Sequence, residues 1–483
     1  MEEILLNKGE LWKWSAVELA EAIRTKKVSS REAVLSCLNR IEEVNPNVNA
    51  LVEVSPDEAL ASAEAADRAV ASGESIGLLH GVPVSIKVNT DQSGHATTEG
   101  LPAFHDNIAG KDSPQVANLR KAGAVLLGRS NSPSFSFRWF TNNELHGRTL
   151  NPWDDSRTPG GSSGGAAAAV ATGMMPIAHG NDLAGSLRYP AYACGVATIR
   201  PTVGRVPSWS SQGYSLSIQS MGVQGPIART VGDLRLALAS MSKFDPGDPT
   251  FVPAPLTSQP LPLPTRIGLV RDVGIASPSA AVNQALDEAA VWLSDAGYIV
   301  EEVELPLLAD AHSLWHLLCM EDFRLAMPMV EQIGDEGIIQ SAKNFFAAGE
   351  EWWGRAPQIA DILSGYSRRG AFIVQLQQFM EDYPLLLLPN SAEQVFEQDA
   401  DITSVERARR VVAAQWPQMS IALFGVPAIS VPTSVFNGLP MGVQIVGRKF
   451  REDTLFDAAE ILEEKAKILT PIDPVKRLKQ NIT

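Results

Sequence analysis

The sequence has few of the residues that build disulfide frameworks and metal sites. Only three of its 483 residues are cysteines (Cys37, Cys194 and Cys319), and their odd number and unrelated spacings exclude a disulfide framework and a CxxC-type zinc site. The seven histidines follow no HExxH or other ligand spacing, so we predict no metal and no other cofactor. Basic residues are also scarce: 40 Lys and Arg against 55 Asp and Glu give a net charge of −15, which argues against a nucleic-acid partner.

Long hydrophobic runs are missing as well. No uninterrupted apolar stretch approaches about 18 residues, so we predict no membrane association. The segment Met1–Glu10 lacks the basic region and apolar run of a signal peptide, which predicts a cytoplasmic protein. The remaining composition, 45% hydrophobic and 20% charged, is that of a globular protein with a large core and excludes intrinsic disorder.

The first 75 residues predict three helices. Ser15 and Ser29 each stand three positions before a glutamate, which is the capping-box pattern of a helix start. The second helix is expected to end near Asn45-Pro46, because a proline disfavours helical backbone at the residue before it. The third helix, rich in alanine, is expected over residues 56–73.

From residue 80 onward strands and helices alternate, which indicates an α/β sheet. A proline-rich stretch at 245–264 predicts an extended surface connection, but strands are expected on both sides of it, so we predict one sheet. The expected strands are 82–88, 124–127, 266–270, 299–305, 427–431 and 441–446. The expected helices are 113–122, 278–296, an aromatic helical region at 309–380 and 452–465. This pattern predicts a single α/β domain with a helical insertion.

Three local signals carry the chemistry. Lys87 lies in the strand run VPVSIKV, between apolar neighbours. The run PGGSSGG holds the serine pair Ser162 and Ser163. The run GNDLAGSLR holds Ser186, 24 residues after Ser162.

Together these residue types favour acyl transfer through a serine. A serine hydroxyl is a weak nucleophile until a base takes its proton. A lysine, whose ordinary pKa is about 10.4, becomes such a base when burial lowers its pKa to about 7–8. A second serine relays the proton, because its hydroxyl both donates and accepts. Glycines bring backbone N–H groups close to a reacting carbonyl, which favours an oxyanion hole.

With their flanking segments, these residues resemble the amidase signature family, serine hydrolases that use a Ser–cis-Ser–Lys triad. The similarity extends from about Ser15 to Glu463. The loop before Ser186 is most similar to those of nylon-oligomer, aryl-amide and urethane-type amidases. The matching segments are residues 45–50, 80–87, 200–205, 225–230, 425–432 and 438–447.

The resemblance implies a fold of one amidase-signature domain over residues 1–483, with a central mixed β-sheet covered by helices on both faces. Its parts are the N-terminal helices (1–75), the catalytic core (about 80–245), a helical insertion near the active site (about 309–380) and the final strands and helix (425–465).

The resemblance also implies a role for each site residue. Lys87 is expected to be the base, Ser162 the relay that follows a cis peptide bond, and Ser186 the nucleophile that is acylated. The expected oxyanion-hole amides belong to Leu183, Ala184, Gly185 and Ser186, and the expected supporting residues are Ser163, Asp182 and Arg188. The implied reaction acylates the enzyme with release of an amine and then hydrolyses the acyl-enzyme with water.

The sequence departs from the family pattern at four positions. Val88 replaces a usual aspartate after the lysine, and Ala166 replaces a usual glutamate after the serine-rich run. In the loop before the nucleophile, Asn181 stands for a common threonine and Ala184 for a glycine. A similar Asn-Asp-Ala-Ala-Gly-Ser loop occurs in the nylon-oligomer-degrading amidase, and all three acting residues are present here. We therefore expect an active enzyme rather than a catalytically silent scaffold.

Other sequence motifs in this chain predict no further function. The run GGSSG also fits the G-x-S-x-G nucleophile elbow, but the polar segment NPWDDSRT before it is no strand, and after His179 the only histidines, His312 and His316, lie in a helical stretch. Residues 442–449 resemble a P-loop without its lysine directly after the glycine. Cys194 and Cys319 are interpreted as buried apolar residues.

Two groups of aromatic residues indicate the substrate class. One precedes the serine pair and the other lies in the insertion; they are Phe135, Phe137, Trp139 and Phe140, and Trp315, Phe323, Phe345, Phe346, Trp352 and Trp353. With Ser136, Phe137 and Tyr214 as expected substrate-binding residues, we predict a stand-alone hydrolase of small-molecule amides or carbamates with bulky apolar or aryl groups. The insertion aromatics fit a core role equally well.

The alternative function is that of the A subunit of a glutamyl-tRNA amidotransferase. A monomer or homodimer is expected.

Overall fold

One eleven-stranded mixed sheet runs through the residues that this computed structural model describes, which are 8–210, 213–353 and 356–475. Its strands are β1 (Leu51–Val54), β2 (Pro83–Lys87), β3 (Val125–Ser130), β4 (Ile177–Asp182), β5 (Ala197–Arg200), β6 (Val223–Ala228), β7 (Arg266–Leu269), β8 (Ile299–Glu302), β9 (Leu385–Pro389), β10 (Ala428–Phe436) and β11 (Leu439–Gly447). The order across the sheet is β1-β3-β2-β4-β6-β5-β10-β11-β9-β7-β8. β2 runs parallel to β3 and β4, β7 runs parallel to β8 and β9, and the other pairs are antiparallel.

Sixteen α-helices accompany the sheet in the described part of the chain. They are α1 (Ala16–Arg24), α2 (Ser30–Val48), α3 (Pro56–Ser72), α4 (Pro114–Lys121), α5 (Gly164–Ala171), α6 (Arg188–Cys194), α7 (Leu216–Met221), α8 (Val231–Met241), α9 (Ala280–Asp295), α10 (Leu307–Arg324), α11 (Met327–Ile333), α12 (Glu336–Trp353), α13 (Ile359–Asp382), α14 (Val405–Ala414), α15 (Trp416–Phe424) and α16 (Glu452–Ala466).

Helices cover both faces of the sheet, as predicted. The buried apolar residues form two clusters, and neighbouring residues of one strand belong to different clusters: Ile177 to the first and Ala178 to the second. Because successive side chains of a strand point to opposite faces, the two clusters lie on opposite sides of the sheet. α5 contributes its alanines to the second cluster, where their small side chains allow a close approach to the strands.

The expected N-terminal helices are present, but the predicted end of the second one is wrong. α2 continues through Pro46 to Val48. Pro46 lies in the last turn, where it removes only its own N–H donor. The helix ends instead at Asn49, which has a left-handed φ of 56°, and the side chain of Asn45 accepts from the N–H groups of Ala50 and Leu51 at 2.9 and 3.0 Å.

The strands on both sides of the proline-rich stretch do belong to one sheet, as expected. Sequence patterns missed β1, β4, β5, β6 and β9, which are short or, like β4 (IAHGND), carry small and polar residues instead of an apolar alternation. The P-loop-like run lies inside the buried strand β11, so it forms no phosphate-binding loop. Within the described residues, no helix is both long enough and apolar enough to cross a lipid bilayer.

Candidate active site

Lys87 ends strand β2, the third strand in the sheet order, and is fully buried. Its Nζ lies 2.6 Å from Ser162 Oγ and 2.7 Å from the side-chain oxygen of Asn181. Burial lowers the pKa of Lys87 to about 7, although the carboxylates of Glu99 and Asp182 act in the opposite direction. The amine is therefore neutral in a substantial fraction of molecules at neutral pH, and its lone pair then accepts the Ser162 hydroxyl proton.

Sheet topology explains how Lys87 meets its partners. β2 and β4 are parallel neighbours, so their carboxyl ends meet at the same edge of the sheet. Lys87 is the last residue of β2, and Asn181 and Asp182 are the last two of β4. The loop with the second serine begins directly after Asp182.

The serine pair sits in a tight turn before α5. The Gly161–Ser162 peptide bond is cis, as the resemblance implied. A Cβ on Gly161 would stand 2.4 Å from the carbonyl oxygen of Arg138, so only glycine fits there. The N–H of Ser163 donates to the carbonyl oxygen of Ser186 at 3.2 Å, which ties the two serine segments together.

Ser162 and Ser186 line the same cavity. Ser186 is 9% exposed and Ser162 is 1% exposed, so the predicted nucleophile is the more accessible of the two. Among the described residues, neither hydroxyl forms a hydrogen bond with the other.

A buried ionic cluster fixes the loop that carries Ser186. Burial alone would raise the pKa of Asp182, but Arg188 and Arg200 hold it well below its usual range. Arg188 Nε donates to Asp182 Oδ2 and Arg200 Nη1 to Oδ1, both at 3.0 Å. The same carboxylate accepts from the N–H groups of Gly185 and Leu187 at 2.8 and 3.2 Å. Asp182 thus connects the side chain of Arg188 to the backbone of the loop that carries Ser186.

The expected oxyanion-hole amides differ in what they contact. The N–H of Gly185 donates to Asp182 at 2.8 Å and is engaged within the loop. Within the described residues, the N–H groups of Leu183, Ala184 and Ser186 form no hydrogen bond. Ala184 has an ordinary negative φ, so its Cβ causes no strain in place of the family's glycine.

Two tryptophans hold the carbonyl groups of this loop. The indole N–H of Trp139 donates to the carbonyl oxygen of Ala184 at 2.8 Å, and that of Trp315 donates to Leu183 at 3.0 Å. In a trans peptide the C=O and the following N–H point in opposite directions. Fixing the Leu183 carbonyl therefore also fixes the direction of the Ala184 N–H.

The two predicted aromatic groups meet at a cavity of about 410 Å³. Phe137 stacks on Phe323 of α10, with ring centroids 4.2 Å apart, and lies 5.4 Å from Phe345 of α12. The predicted aromatics that line the cavity are Phe135, Phe137, Trp139, Trp315, Phe323 and Phe345. Phe140, Phe346 and Trp353 do not line it, and the side chain of Trp352 lies outside the described part of the chain.

The cavity also has a polar side, where the predicted residues Ser136 and Tyr214 lie. Ser136 Oγ accepts from the side-chain amide of Asn89 at 2.9 Å, and Asn89 Oδ1 accepts from Asn181 at 3.0 Å. Tyr214 Oη and Ser208 Oγ share a hydrogen bond of 3.0 Å. A chain of side-chain contacts thus leads from Lys87 to the cavity.

Sequence reasoning missed three polar residues of this site: Asn89, Glu99 and Asn181. The only signal for Asn181 was its departure from the family's threonine. Asn89 and Glu99 lie in irregular segments after β2, where no periodicity indicates which side chains face the cavity.

Other candidate chemistry is not assembled in the described residues. They contain no group of three or more His, Cys, Asp or Glu side chains arranged to hold a metal ion. Cys37, Cys194 and Cys319 are buried and unpaired by disulfides. His316 is buried against the carbonyl of Phe345, and burial lowers its pKa to about 3, so it is no general base.

The sequence profile of the Amidase family matches residues 32–456. This chain belongs to the Amidase family. Among curated proteins it is 41% identical over 469 residues to the indoleacetamide hydrolase of Bradyrhizobium diazoefficiens, which covers 96% of this chain and 88% of that protein. It is 31% identical over 481 residues to the A subunit of the glutamyl-tRNA(Gln) amidotransferase of Moorella thermoacetica, covering 94% and 97% of the two chains.

A solved structure of a bacterial aryl acylamidase shares the amidase fold, with a TM-score of 0.80 and 28% identity over 95% of this chain and 96% of that one. Family membership and fold are thereby confirmed. Together with the named relatives, they support amide hydrolysis as the class of activity.

Proposed function

We propose that this protein is a stand-alone amidase that hydrolyses small amides with an aromatic or bulky apolar group. The observation that carries the proposal is one cavity that is lined both by Ser162 and Ser186 and by the six aromatic residues named above, which form its aromatic wall. Large rigid side chains bind apolar groups at a low cost in conformational entropy.

In the proposed acylation step, Ser186 Oγ attacks the carbonyl carbon of the amide. Its proton passes to Ser162, while Ser162 gives its own proton to the neutral amine of Lys87. Since a base poised near the working pH is the most effective, a pKa of about 7 suits Lys87 to this role. The relay requires the two serine hydroxyls to come within hydrogen-bond distance once substrate is bound.

The oxyanion of the tetrahedral intermediate would accept hydrogen bonds from the N–H groups of Leu183, Ala184 and Ser186. Return of the proton through Ser162 to the nitrogen releases the amine and leaves the acyl group on Ser186. Water then attacks the ester by the same proton route, and the carboxylic acid leaves. Each oxyanion-hole donor is typically worth about 100- to 1000-fold in kcat.

The comparisons favour an aromatic amide as substrate. The curated relative is named an indoleacetamide hydrolase, and the solved neighbour is an aryl acylamidase. Both names describe an amide next to an aromatic group, which matches the aromatic wall. Aryl carbamates, nylon-like amides and esters remain further candidate substrates of the same serine.

The amidotransferase role is the weaker candidate. The relative with that function is 31% identical, against 41% for the hydrolase. The run GRVPSW at 204–209 also departs from the Gly-Arg-Val-Ser-Arg-Tyr-Gly stretch typical of that amidotransferase chain. Co-purification with two partner chains would support it. A cytoplasmic location and a monomeric or homodimeric state stay predictions.

A substrate panel tests the proposed function. We would measure kcat/KM for an arylacetamide, an anilide, an aryl carbamate and a small charged amide, with Ser186→Ala as the blank. We expect the aromatic amides to be hydrolysed best and the blank to be inactive. Preference for the small charged amide would reject the substrate class, and activity in Ser186→Ala would reject the mechanism.

A fluorophosphonate probe provides an independent readout of the nucleophile. We expect labelling of the wild type and of Ser163→Ala, because Ser163 contributes its backbone N–H rather than its hydroxyl to the contact with Ser186. Ser186→Ala and Lys87→Met should not be labelled.

A further inference from the structure

The charged residues in the described lining of the substrate cavity are all acidic. Among its described lining residues four carry a carboxylate, and none is a lysine, arginine or histidine. The four are Glu99, Asp182, Asp248 and Asp322. A cavity of this kind disfavours a substrate that carries its own carboxylate, because like charges in a partly buried site repel.

Three of the four carboxylates are occupied by donors of the protein. Asp182 is paired with two arginines. Asp248 accepts from the N–H groups of Ser208 and Thr250, both at 2.6 Å. Asp322 accepts from the N–H of Ser217 at 2.8 Å. These three carboxylates therefore hold loops in place.

Glu99 differs from them. In the described part of the chain its carboxylate forms no hydrogen bond and no salt bridge, although it lines the cavity. Its backbone is held in place: φ is 51°, and its carbonyl oxygen accepts from the N–H of Phe135 at 3.0 Å. The side chain thus starts from a fixed point beside the aromatic wall, and the residue lines the cavity.

A small side pocket adjoins Glu99. It has a volume of about 40 Å³, shares Asn89, Thr90 and Tyr214 with the main cavity, and is lined largely by polar residues. A pocket of this size is large enough to hold a small polar group. The main cavity and this pocket together match a molecule with an apolar body and one polar end.

The burial of the Glu99 carboxylate favours a positively charged group at the polar end of such a molecule. Burial raises the pKa of Glu99 to about 7, which reports the lost hydration of the charged form. The charges of Lys87 and Arg129 lower this pKa and that of Asp91 raises it, but within the described residues neither Lys87 nor Arg129 forms a salt bridge with Glu99. A bound ammonium would supply a counter-charge in direct contact with the carboxylate in a desolvated site, where charge-assisted hydrogen bonds are strongest.

We infer that Glu99 is a specificity-determining residue that binds a protonated amine of the substrate. The enzyme then prefers aromatic amides that carry an ammonium group at the end that reaches the side pocket beside Glu99 over those with a carboxylate there. The inference rests on the proposed function, because it concerns the substrate of the same cavity.

Three substrates test the inference that Glu99 binds an ammonium group. They share one aryl amide skeleton and differ in a single substituent, which is methyl, aminomethyl or carboxyl. At pH 8, where Glu99 is ionised, we expect the wild type to favour the aminomethyl over the carboxyl substrate by about 100-fold in kcat/KM. Glu99→Gln should lower the aminomethyl value about tenfold, which corresponds to about 1.4 kcal/mol. It should change the methyl value less than about threefold.

Two further variants separate binding from a structural role. Glu99→Asp keeps the charge and should keep part of the aminomethyl preference. Asp322→Asn removes a cavity charge that is already occupied, so it should leave the ratio of aminomethyl to methyl substrate unchanged. An equal loss on all three substrates in Glu99→Gln would mean a structural role and overturn the inference.

The three substrates also distinguish this inference from the proposed function. Hydrolysis of the methyl substrate with the three rates within about threefold would overturn the role of Glu99 and leave the amidase proposal standing. No hydrolysis of any of the three would overturn both. These readings use wild-type rates, so they hold even if a Glu99 variant fails to fold.

Discussion

The indole N–H of Trp315 donates to the carbonyl oxygen of Leu183 at 3.0 Å. This hydrogen bond links α10, the first helix of the insertion, to the loop that precedes Ser186. The insertion therefore does more than line the cavity. It also determines how the backbone beside the nucleophile is oriented.

Trp315→Phe should lower kcat about tenfold, because it removes this hydrogen bond and leaves a buried carbonyl unpaired, at a cost of about 1–3 kcal/mol. The ring remains, so KM for an aryl amide should change little. Steady-state kinetics on the arylacetamide checks both parameters.

Trp353→Phe is the matched control for this change. It lies on α12 of the same region, and its indole N–H has no hydrogen-bond partner among the described residues. We expect its kcat to stay within about twofold of the wild type. An equal loss in both variants would contradict a role for the Trp315 hydrogen bond.

Gly185→Ala should abolish most activity. Gly185 has a φ of +94°, and an added Cβ would stand 2.7 Å from the Gln418 side chain. Since the loop cannot relax without moving the amide groups, we expect kcat to fall by at least about 100-fold.

Gly438→Ala serves as the control for the backbone strain alone, since Gly438 has a φ of +79° and open space around it. It should cost about 1 kcal/mol of stability and leave kcat unchanged. Thermal unfolding and kinetics of both glycine variants separate the two effects. Full activity in Gly185→Ala would exclude a rigid oxyanion loop.

The pKa of Lys87 predicts the pH dependence of activity. Below about pH 7 the amine is protonated and cannot act as a base, so kcat/KM should rise about tenfold per pH unit there and level off above pH 7. The charges of Glu99 and Asp182 favour the protonated amine. Arg129 donates to the carbonyl oxygen of Lys87, and His179 is neutral because burial lowers its pKa to about 3.

A neutral aryl amide is the substrate for this measurement, so that only the enzyme titrates. Glu99→Gln should move the inflection to lower pH, because it removes a charge that favours the protonated amine. An inflection near pH 10, the ordinary range of lysine, would contradict the buried-base mechanism.

Phe137→Ala tests the aromatic wall. The ring stacks on Phe323, so its removal should lower kcat/KM for an arylacetamide at least about tenfold while leaving acetamide within about threefold. Phe140→Leu is the control, because Phe140 is buried outside the cavity against Phe396. A parallel loss on both substrates in Phe137→Ala would point to misfolding of the loop instead.

Much of this protein was predictable from the sequence because its chemistry is local. The strand around Lys87, the cis peptide before Ser162 and the family itself follow from short motifs. Of the two arginines that bind Asp182, only Arg188 was predictable, because it is six residues away in the sequence. Arg200 lies on another strand. Trp315 and Leu183 are 132 positions apart, and no motif indicates that they touch.

The hydrogen bond of the Gly185 N–H was unpredictable for the same physical reason. A sequence indicates which backbone amides lie near a nucleophile but not which of them a neighbouring carboxylate already occupies. Asp182 stands three residues before Gly185, and only the turn geometry decides that its oxygen accepts this N–H. Glu99 was missed because an irregular segment gives no pattern from which to infer the direction of its side chain.

Because α10 to α13 lie between β8 and β9, the residues proposed to react with the substrate and many of those proposed to select it come from different parts of the chain. Lys87, Ser162 and Ser186 come from a region that ends long before Leu307, while much of the aromatic wall comes after it. Substitutions in these helices, other than at Trp315, can therefore change which substrates bind without altering Lys87, Ser162 or Ser186.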